Sequence, residues 1–137
     1  MLSLKTHNIL DYVGGALLIL SPFLFGFAEV GAARNVFMLT GFALIVYSLF
    51  TNYYYAVLRV IPLGVHMTLD VLIGLLVFSA PWVFNYGEFL TTGQEWVHYI
   101  LGVGVLALVG FTAERTEADK VDHGLRISTS TSAPGRV

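Results

Sequence analysis

Two histidines and two aspartates in apolar surroundings are the residues of this sequence that could do chemistry. His7 precedes Asp11 by four residues, and His66 precedes Asp70 by the same interval. Four residues make about one helical turn, so each pair would lie on one side of a helix. Imidazole titrates near neutrality, and His and Asp together are ligands for Zn²⁺, Mn²⁺ or Fe²⁺. The four residues therefore form a candidate site for protons, ions or a metal.

The same residues also have a structural interpretation. A carboxylate near a helix N-terminus is favoured by the helix dipole and lies close to water, which lowers the cost of placing it in a membrane. His and Asp one turn apart can bond to each other or hold a neighbouring repeat, since polar side chains often join membrane helices. No complete metal motif is present. Structural contact, proton or ion handling, and metal binding are therefore all open.

Both His/Asp pairs belong to an internal repeat. The matching positions, at shifts of 59 or 61 residues, include His7/His66, Asp11/Asp70, Gly15/Gly74, Pro22/Pro81, Gly41/Gly102 and Thr51/Thr112. Each copy spans the membrane twice, so the copies run in the same direction and are parallel repeats. The His/Asp pairs should then lie at similar depth. Gly15, Gly74, Gly41 and Gly102 are predicted to pack helices closely, because small residues allow backbones to approach.

The composition predicts that lipid surrounds the repeat. The chain is 56% hydrophobic and 12% charged, against about 25% charged residues in a soluble domain. Four apolar stretches are long enough to cross a bilayer, and only helices can do so without a lipid-exposed sheet edge. We place them at about 8–27, 34–54, 65–86 and 95–113. The predicted fold is an all-α integral membrane domain, 1–113, with four transmembrane helices from two parallel two-helix repeats, about 7–54 and 66–113.

The remaining residues, 114–137, are densely charged and then rich in Ser and Thr. They are predicted to form a solvated tail that continues the fourth helix by one turn and is then disordered. The basic residues near span ends indicate orientation. One side carries Lys5, Arg59, Arg115, Lys120 and Arg126, and the other carries Arg34. The positive-inside rule therefore places both termini in the cytoplasm, with the chain in the cell (inner) membrane.

A proline lies near the end of the first span of each repeat. Pro22 and Pro81 should kink the helix or break a turn, because proline lacks an N–H and clashes with the preceding turn. The chain must continue past this point to leave the membrane core. The aromatic residues that should then anchor the outer interface are Phe23, Phe25, Phe27, Trp82, Phe84 and Tyr86.

The segments around these prolines resemble the Ser-Pro-Trp motif of the SPW-repeat membrane proteins. The matching tripeptides are Ser21-Pro22-Phe23 and Ala80-Pro81-Trp82, with Phe in place of Trp in the first and Ala in place of Ser in the second. The similarity covers about residues 5–113. It implies a small bacterial or archaeal multi-pass membrane protein, and it carries no active site over to this chain.

Other function classes are disfavoured. Cysteine is absent, which removes disulfides and thiolate sites, and a net charge of −2 gives no reason to expect a nucleic-acid partner. No catalytic or phosphate-binding motif occurs, so neither an enzyme nor a cofactor is predicted. The first hypothesis is a structural or interaction protein in the lipid bilayer, with a homo-oligomer or a membrane partner possible. The alternative is a small ion, proton or metal conduit that uses His7, Asp11, His66 and Asp70.

Overall fold

Four long helices form two hairpins. The computed structural model describes residues 2–52 and 55–130, and after residue 112 it describes the backbone alone. The elements in chain order are α1 (Leu4–Leu24), α2 (Gly31–Phe50), α3 (Leu63–Val83), a 3₁₀ turn (Gly87–Phe89) and α4 (Thr92–Ser130). Each of the four helices contains a segment long and apolar enough to cross a membrane, and the described residues form no sheet. The predicted all-α architecture is confirmed.

Each helix begins two to four residues before its predicted position. In α1 the reason is a cap that the apolar pattern does not contain. The hydroxyl oxygen of Ser3 accepts the N–H of Thr6 at 3.1 Å, which satisfies one of the free N–H groups at the helix start. The polar first turn, with Lys5 and His7, is therefore helical although its hydropathy is low.

The prolines do not break the helices at their own positions. α1 continues through Pro22 to Leu24, and α3 continues through Pro81 to Val83. After each of these helices the chain reverses direction at a residue with positive φ. Gly26 (φ 74°) and its repeat counterpart Asn85 (φ 51°) occupy this position. The following N–H groups donate to the carbonyls of the two prolines at 2.9 and 3.1 Å, closing the helix ends as C-terminal caps do.

This reversal corrects the prediction for the aromatic residues after the prolines. Phe23 and Trp82 are 59% and 58% exposed, which suits contact with lipid. Phe27 and Tyr86 are 1% and 2% exposed, and they lie in the core instead of at the interface. The turn at the positive-φ residue sends the chain back across the helix ends, so the aromatic residue directly after it points inward.

The fourth helix is longer than the sequence analysis allowed. α4 continues to Ser130, whereas one further turn and then disorder were expected after residue 113. A helix that is already formed extends without a new nucleation cost. Between Thr112 and Ser130 the sequence contains no proline, and the next proline is Pro134. Residues 131–137 of the expected tail lie outside the described residues.

Each hairpin is packed tightly around a pair of glycines. A Cβ atom at Gly41 would lie 2.6 Å from the carbonyl oxygen of Gly15, and one at Gly102 would lie 2.8 Å from that of Gly74. Real Cβ atoms do not approach a backbone oxygen so closely. The helices of each hairpin therefore approach at these points only because both residues lack a side chain. The contact sets where α1 packs along α2, and the equivalent contact sets where α3 packs along α4.

Gly41→Ala should destabilise the fold by about 1–3 kcal/mol, the usual cost of overpacking, because the added methyl group meets backbone that cannot move aside. The free energy of unfolding can be measured by far-UV circular dichroism during an SDS titration. Gly110→Ala is the matched control, since nothing lies within 4 Å of its Cβ position and alanine favours a helix. Equal stability of the two variants would contradict the close contact.

Candidate functional site

The four candidate residues meet at one point between α1 and α3. Each histidine Nε2 atom lies within 3.3 Å of an oxygen of both carboxylates. The separations are His7–Asp11 3.3 Å, His7–Asp70 3.2 Å, His66–Asp11 3.1 Å and His66–Asp70 3.2 Å. We call these residues the tetrad. Each carboxylate thus contacts the histidine of its own repeat and the histidine of the other repeat.

The parallel course of α1 and α3 brings the tetrad together. At the other end of these helices, Phe27 and Tyr86 both pack on the ring of His98, with centroid separations of 5.3 and 5.6 Å. The chain after each of these helices thus packs on the same histidine, while the tetrad joins the two helices near their starts. The four tetrad side chains are 0–2% exposed. Spacing of four residues within each helix places them on the buried face.

Two threonines orient the histidines from behind. His7 Nδ1 lies 2.7 Å from Thr112 Oγ1, and His66 Nδ1 lies 2.9 Å from Thr51 Oγ1. Each threonine hydroxyl donates its own proton to the carbonyl four residues earlier in its helix. Its oxygen can therefore only accept from the imidazole, so both Nδ1 atoms carry a proton and donate. This arrangement turns both Nε2 atoms towards the carboxylates.

The hydrogen-bond pattern imposes a charge requirement on the tetrad. Two Nε2 atoms and two carboxylates, without further protons, would present only lone pairs to one another. Buried acceptors in that arrangement repel, and the two negative charges would be unpaired. Two additional protons or one divalent cation would satisfy all four groups and make the site neutral. His7, Asp11, His66 and Asp70 also satisfy the spacing of a metal-ligand group, with one candidate ligand atom from each within 4.8 Å of the others.

Sequence reasoning missed three residues around the tetrad. Thr51 and Thr112 were aligned as repeat partners, but their hydroxyls were not assigned to the histidines. Tyr47 donates its hydroxyl proton to Asp70 Oδ1 from the neighbouring helix α2. The signal for the threonines was in the repeat, because a polar residue recurs at the same place in two otherwise apolar helices. Tyr47 has no counterpart in the repeat, since Leu108 occupies the matching position.

A second buried cluster lies at the opposite end of the bundle. His98 is fully buried against Phe27 and Phe37. Its Nδ1 donates to the carbonyl oxygen of Gln94 at 2.8 Å, and its Nε2 accepts from the Tyr86 hydroxyl at 3.0 Å. Burial raises the pKa of the Tyr86 phenol, which keeps this proton in place. His98 and Tyr86 correspond to Phe37 and Phe27 in the repeat, so a polar pair here replaces an aromatic pair.

The proline segments close the helices next to this second cluster. Ser21 and Ala80 are fully buried small residues, and Pro22 and Pro81 follow them in the core. The third position of each segment points outward, and there Trp82 stacks on Tyr99 with ring centroids 5.3 Å apart. The motif thus combines a small buried residue, a proline in the last turn of the helix whose carbonyl accepts the closing N–H, and an exposed aromatic ring.

The match to a family model agrees with this arrangement. The model of the SPW repeat domain matches residues 5–113, which include both hairpins and the whole tetrad. The chain belongs to the SPW repeat domain family. No curated protein and no solved structure matches it. Family membership and the four apolar helices support a multi-pass membrane protein.

Thr112→Val should lower the free energy of unfolding by about 1–3 kcal/mol, because it removes the buried hydroxyl oxygen that accepts the Nδ1–H of His7. Thr40→Val is the matched control. The hydroxyl of Thr40 is also buried but bonds to the backbone of its own helix, to the Val36 carbonyl at 2.7 Å. SDS titration of both variants measures the difference. If Thr112→Val costs no more than Thr40→Val, the threonine does not orient the histidine.

Proposed function

We propose that this SPW repeat protein is a non-enzymatic membrane protein that binds one divalent transition-metal ion in the tetrad and thereby fastens its two repeats together. The observation that carries the proposal is the convergence of two correctly oriented Nε2 atoms and two carboxylates on one buried point. Neutral imidazoles and two carboxylates balance the charge of one dication. Zn²⁺ fits this set best, because it favours four N and O ligands in a tetrahedron.

The separations in the tetrad support a metal over simple ion pairs. Zinc bonds of about 2.0–2.1 Å place neighbouring ligand atoms about 3.3 Å apart in a tetrahedron. Three of the N···O separations, which join the histidines to one oxygen of each carboxylate, are 3.1–3.2 Å. The fourth joins His7 to the other oxygen of Asp11 at 3.3 Å. Charge-assisted N–H···O bonds are usually about 2.7–2.9 Å long. The outward Nδ1–H bonds to Thr51 and Thr112 further match the pattern by which second-layer acceptors orient metal-bound histidines.

A structural role is favoured over catalysis or conduction. Four protein ligands would occupy all coordination positions of a tetrahedral ion. Sites of this kind stabilise a fold, whereas catalytic zinc keeps one coordination position open for water or substrate. The tetrad residues are almost fully buried, and the groove that reaches Asp11 and Asp70 is otherwise lined by apolar residues. Along this groove, as far as the structure describes it, an ion or proton would meet no polar side chain besides the two aspartates. A conduit therefore receives less support than a static metal centre.

The remaining features of the proposal concern the membrane. We place the chain in the cell (inner) membrane with both termini in the cytoplasm, since five of the six basic residues counted above lie on that side. The tetrad would then lie near the inner leaflet. Large exposed apolar side chains, among them Leu39 and Phe42, suit contact with lipid, with a membrane partner or with another copy of the chain.

Full-length protein stripped with a chelator should bind one Zn²⁺ per chain in isothermal titration calorimetry. Loading should release up to about two protons per ion, because ligands must be deprotonated to bind. Asp70→Asn removes one charge and one ligand, so its affinity should fall by more than about 100-fold. Glu29→Gln, at an exposed carboxylate, is the control and should bind as the wild type does.

The opposite results would decide against the metal. If the wild type shows no saturable binding, or if Asp70→Asn binds zinc equally well, two protons and not an ion complete the tetrad. The site would then be an ion-paired contact between repeats.

The orientation can be tested with single cysteines, because the chain has none of its own. In intact cells, Gly31→Cys should react with a membrane-impermeant maleimide from outside, and Ser128→Cys should react only after the membrane is opened. Reversal of this pattern would place the termini outside the cell.

A further inference from the structure

An apolar groove between α1 and α4 leads to the tetrad. Its volume is about 400 Å³, which lies in the range of about 300–1,000 Å³ that small-molecule sites occupy. Asp11 and Asp70 are the polar residues along it, and the rest of its lining is aliphatic or aromatic, apart from glycine. The groove is thus a largely apolar pocket with acceptor groups at one place on its wall.

The repeat explains why this groove exists. A shift of 59 residues relates α1 to α3, and a shift of 61 relates α2 to α4, so the α1/α4 groove corresponds to the contact between α3 and α2. In that contact Tyr47 and Ile73 belong to the buried core. Their counterparts at the groove are Leu108 and Gly14, which both line it. Two smaller residues in place of a phenol and a branched chain leave the space open.

The hydrogen bonds of the two aspartates differ in the same way. In Asp70, Oδ2 contacts the Nε2 atoms of both histidines, and Oδ1 accepts the hydrogen bond from the Tyr47 hydroxyl. In Asp11, Oδ1 contacts Nε2 of His7 and Oδ2 contacts Nε2 of His66. Leu108, at the position that matches Tyr47, has no hydroxyl to donate to Asp11. An ionised carboxylate has about four acceptor positions. Asp11 can therefore accept one more donor from the groove, as Asp70 accepts one from Tyr47.

We propose that the groove binds a membrane-soluble phenol, whose ring occupies the space that Tyr47 fills in the other half and whose hydroxyl donates to Asp11. The structure provides both the template for this ligand and the acceptor. The volume exceeds that of one ring, and the lining residues Val13 and Phe111 are more than half exposed. An apolar tail on the ring can therefore run out towards lipid. The site needs only the carboxylate of Asp11, so it does not depend on whether protons or a metal complete the tetrad.

The first experiment compares two probes on the full-length chain in lipid nanodiscs. 4-Propylphenol has the donor, and 4-propylanisole keeps the ring and tail but replaces the hydroxyl proton with a methyl group. Methyl NMR of Leu and Val side chains reports binding at Val105 and Leu108. A hydrogen bond to a buried charged group is worth about tenfold or more in affinity, so the phenol should bind at least tenfold more tightly.

The second experiment uses variants that fill the groove. Leu108→Tyr copies Tyr47 into the chain and should abolish phenol binding. Leu39→Tyr introduces the same side chain at a position 68% exposed on α2 and should leave binding intact. Gly104→Leu blocks the groove independently if Leu108→Tyr does not fold, since nothing lies within 4 Å of the Gly104 Cβ position.

Several outcomes would overturn the proposal. Equal affinity for the phenol and the anisole would show that the groove holds only apolar chains, such as those of lipid. Undiminished phenol binding in Leu108→Tyr or Gly104→Leu would place the ligand elsewhere. An absence of saturable phenol binding to the wild type would leave the groove without this function.

Discussion

The tetrad can be buried only if it gains two positive charges, and the rest of the structure depends on this requirement. Two carboxylates with exposures of 2% or less in an apolar bundle would cost several kcal/mol each if they were unpaired. The threonines prevent the imidazoles from relieving this cost with their outer protons, because Thr51 and Thr112 already accept them. Among the groups that the structure describes here, protons on the inner Nε2 atoms can do so, as can a bound cation. The residues around the tetrad thus require that protons or a cation complete it.

The glycine contacts and the parallel repeats place these groups with the required accuracy. Gly15 with Gly41, and Gly74 with Gly102, fix the level of each hairpin. The capped ends after Leu24 and Val83 fix where the helices stop. All four N···O separations agree within 0.2 Å, so each histidine meets both carboxylates at nearly the same distance. The hairpins differ beside the tetrad, because Tyr47 donates to Asp70 whereas Leu108 has no hydroxyl to donate to Asp11.

Much of this architecture follows from patterns that a sequence contains directly. Ionisable residues stand out in apolar runs, and the repeat showed that His7 and Asp11 have counterparts at the same depth. Contacts between repeats were harder to foresee, because spacing within a helix cannot tell which histidine a carboxylate will meet. The burial of Phe27 depends on the backbone reversal at Gly26, which hydropathy does not record. The length of α4 was missed because the charged residues after residue 113 suggested a solvated coil. A helix that has already formed can continue through such residues.

The equal contacts within and between repeats have a consequence for how the bundle can come apart. Each hairpin contributes one imidazole and one carboxylate to the tetrad. If two protons complete the tetrad, one proton can stay with each hairpin, and both halves are neutral. A tetrad completed by a single dication does not divide, because one half would retain the ion with an unmatched positive charge while the other kept a bare carboxylate. In lipid, such a separation of charge is strongly opposed. Loading with a metal would therefore join two separable hairpins into one unit. The lipid would stabilise that unit, because it opposes the charge separation that pulling the hairpins apart requires.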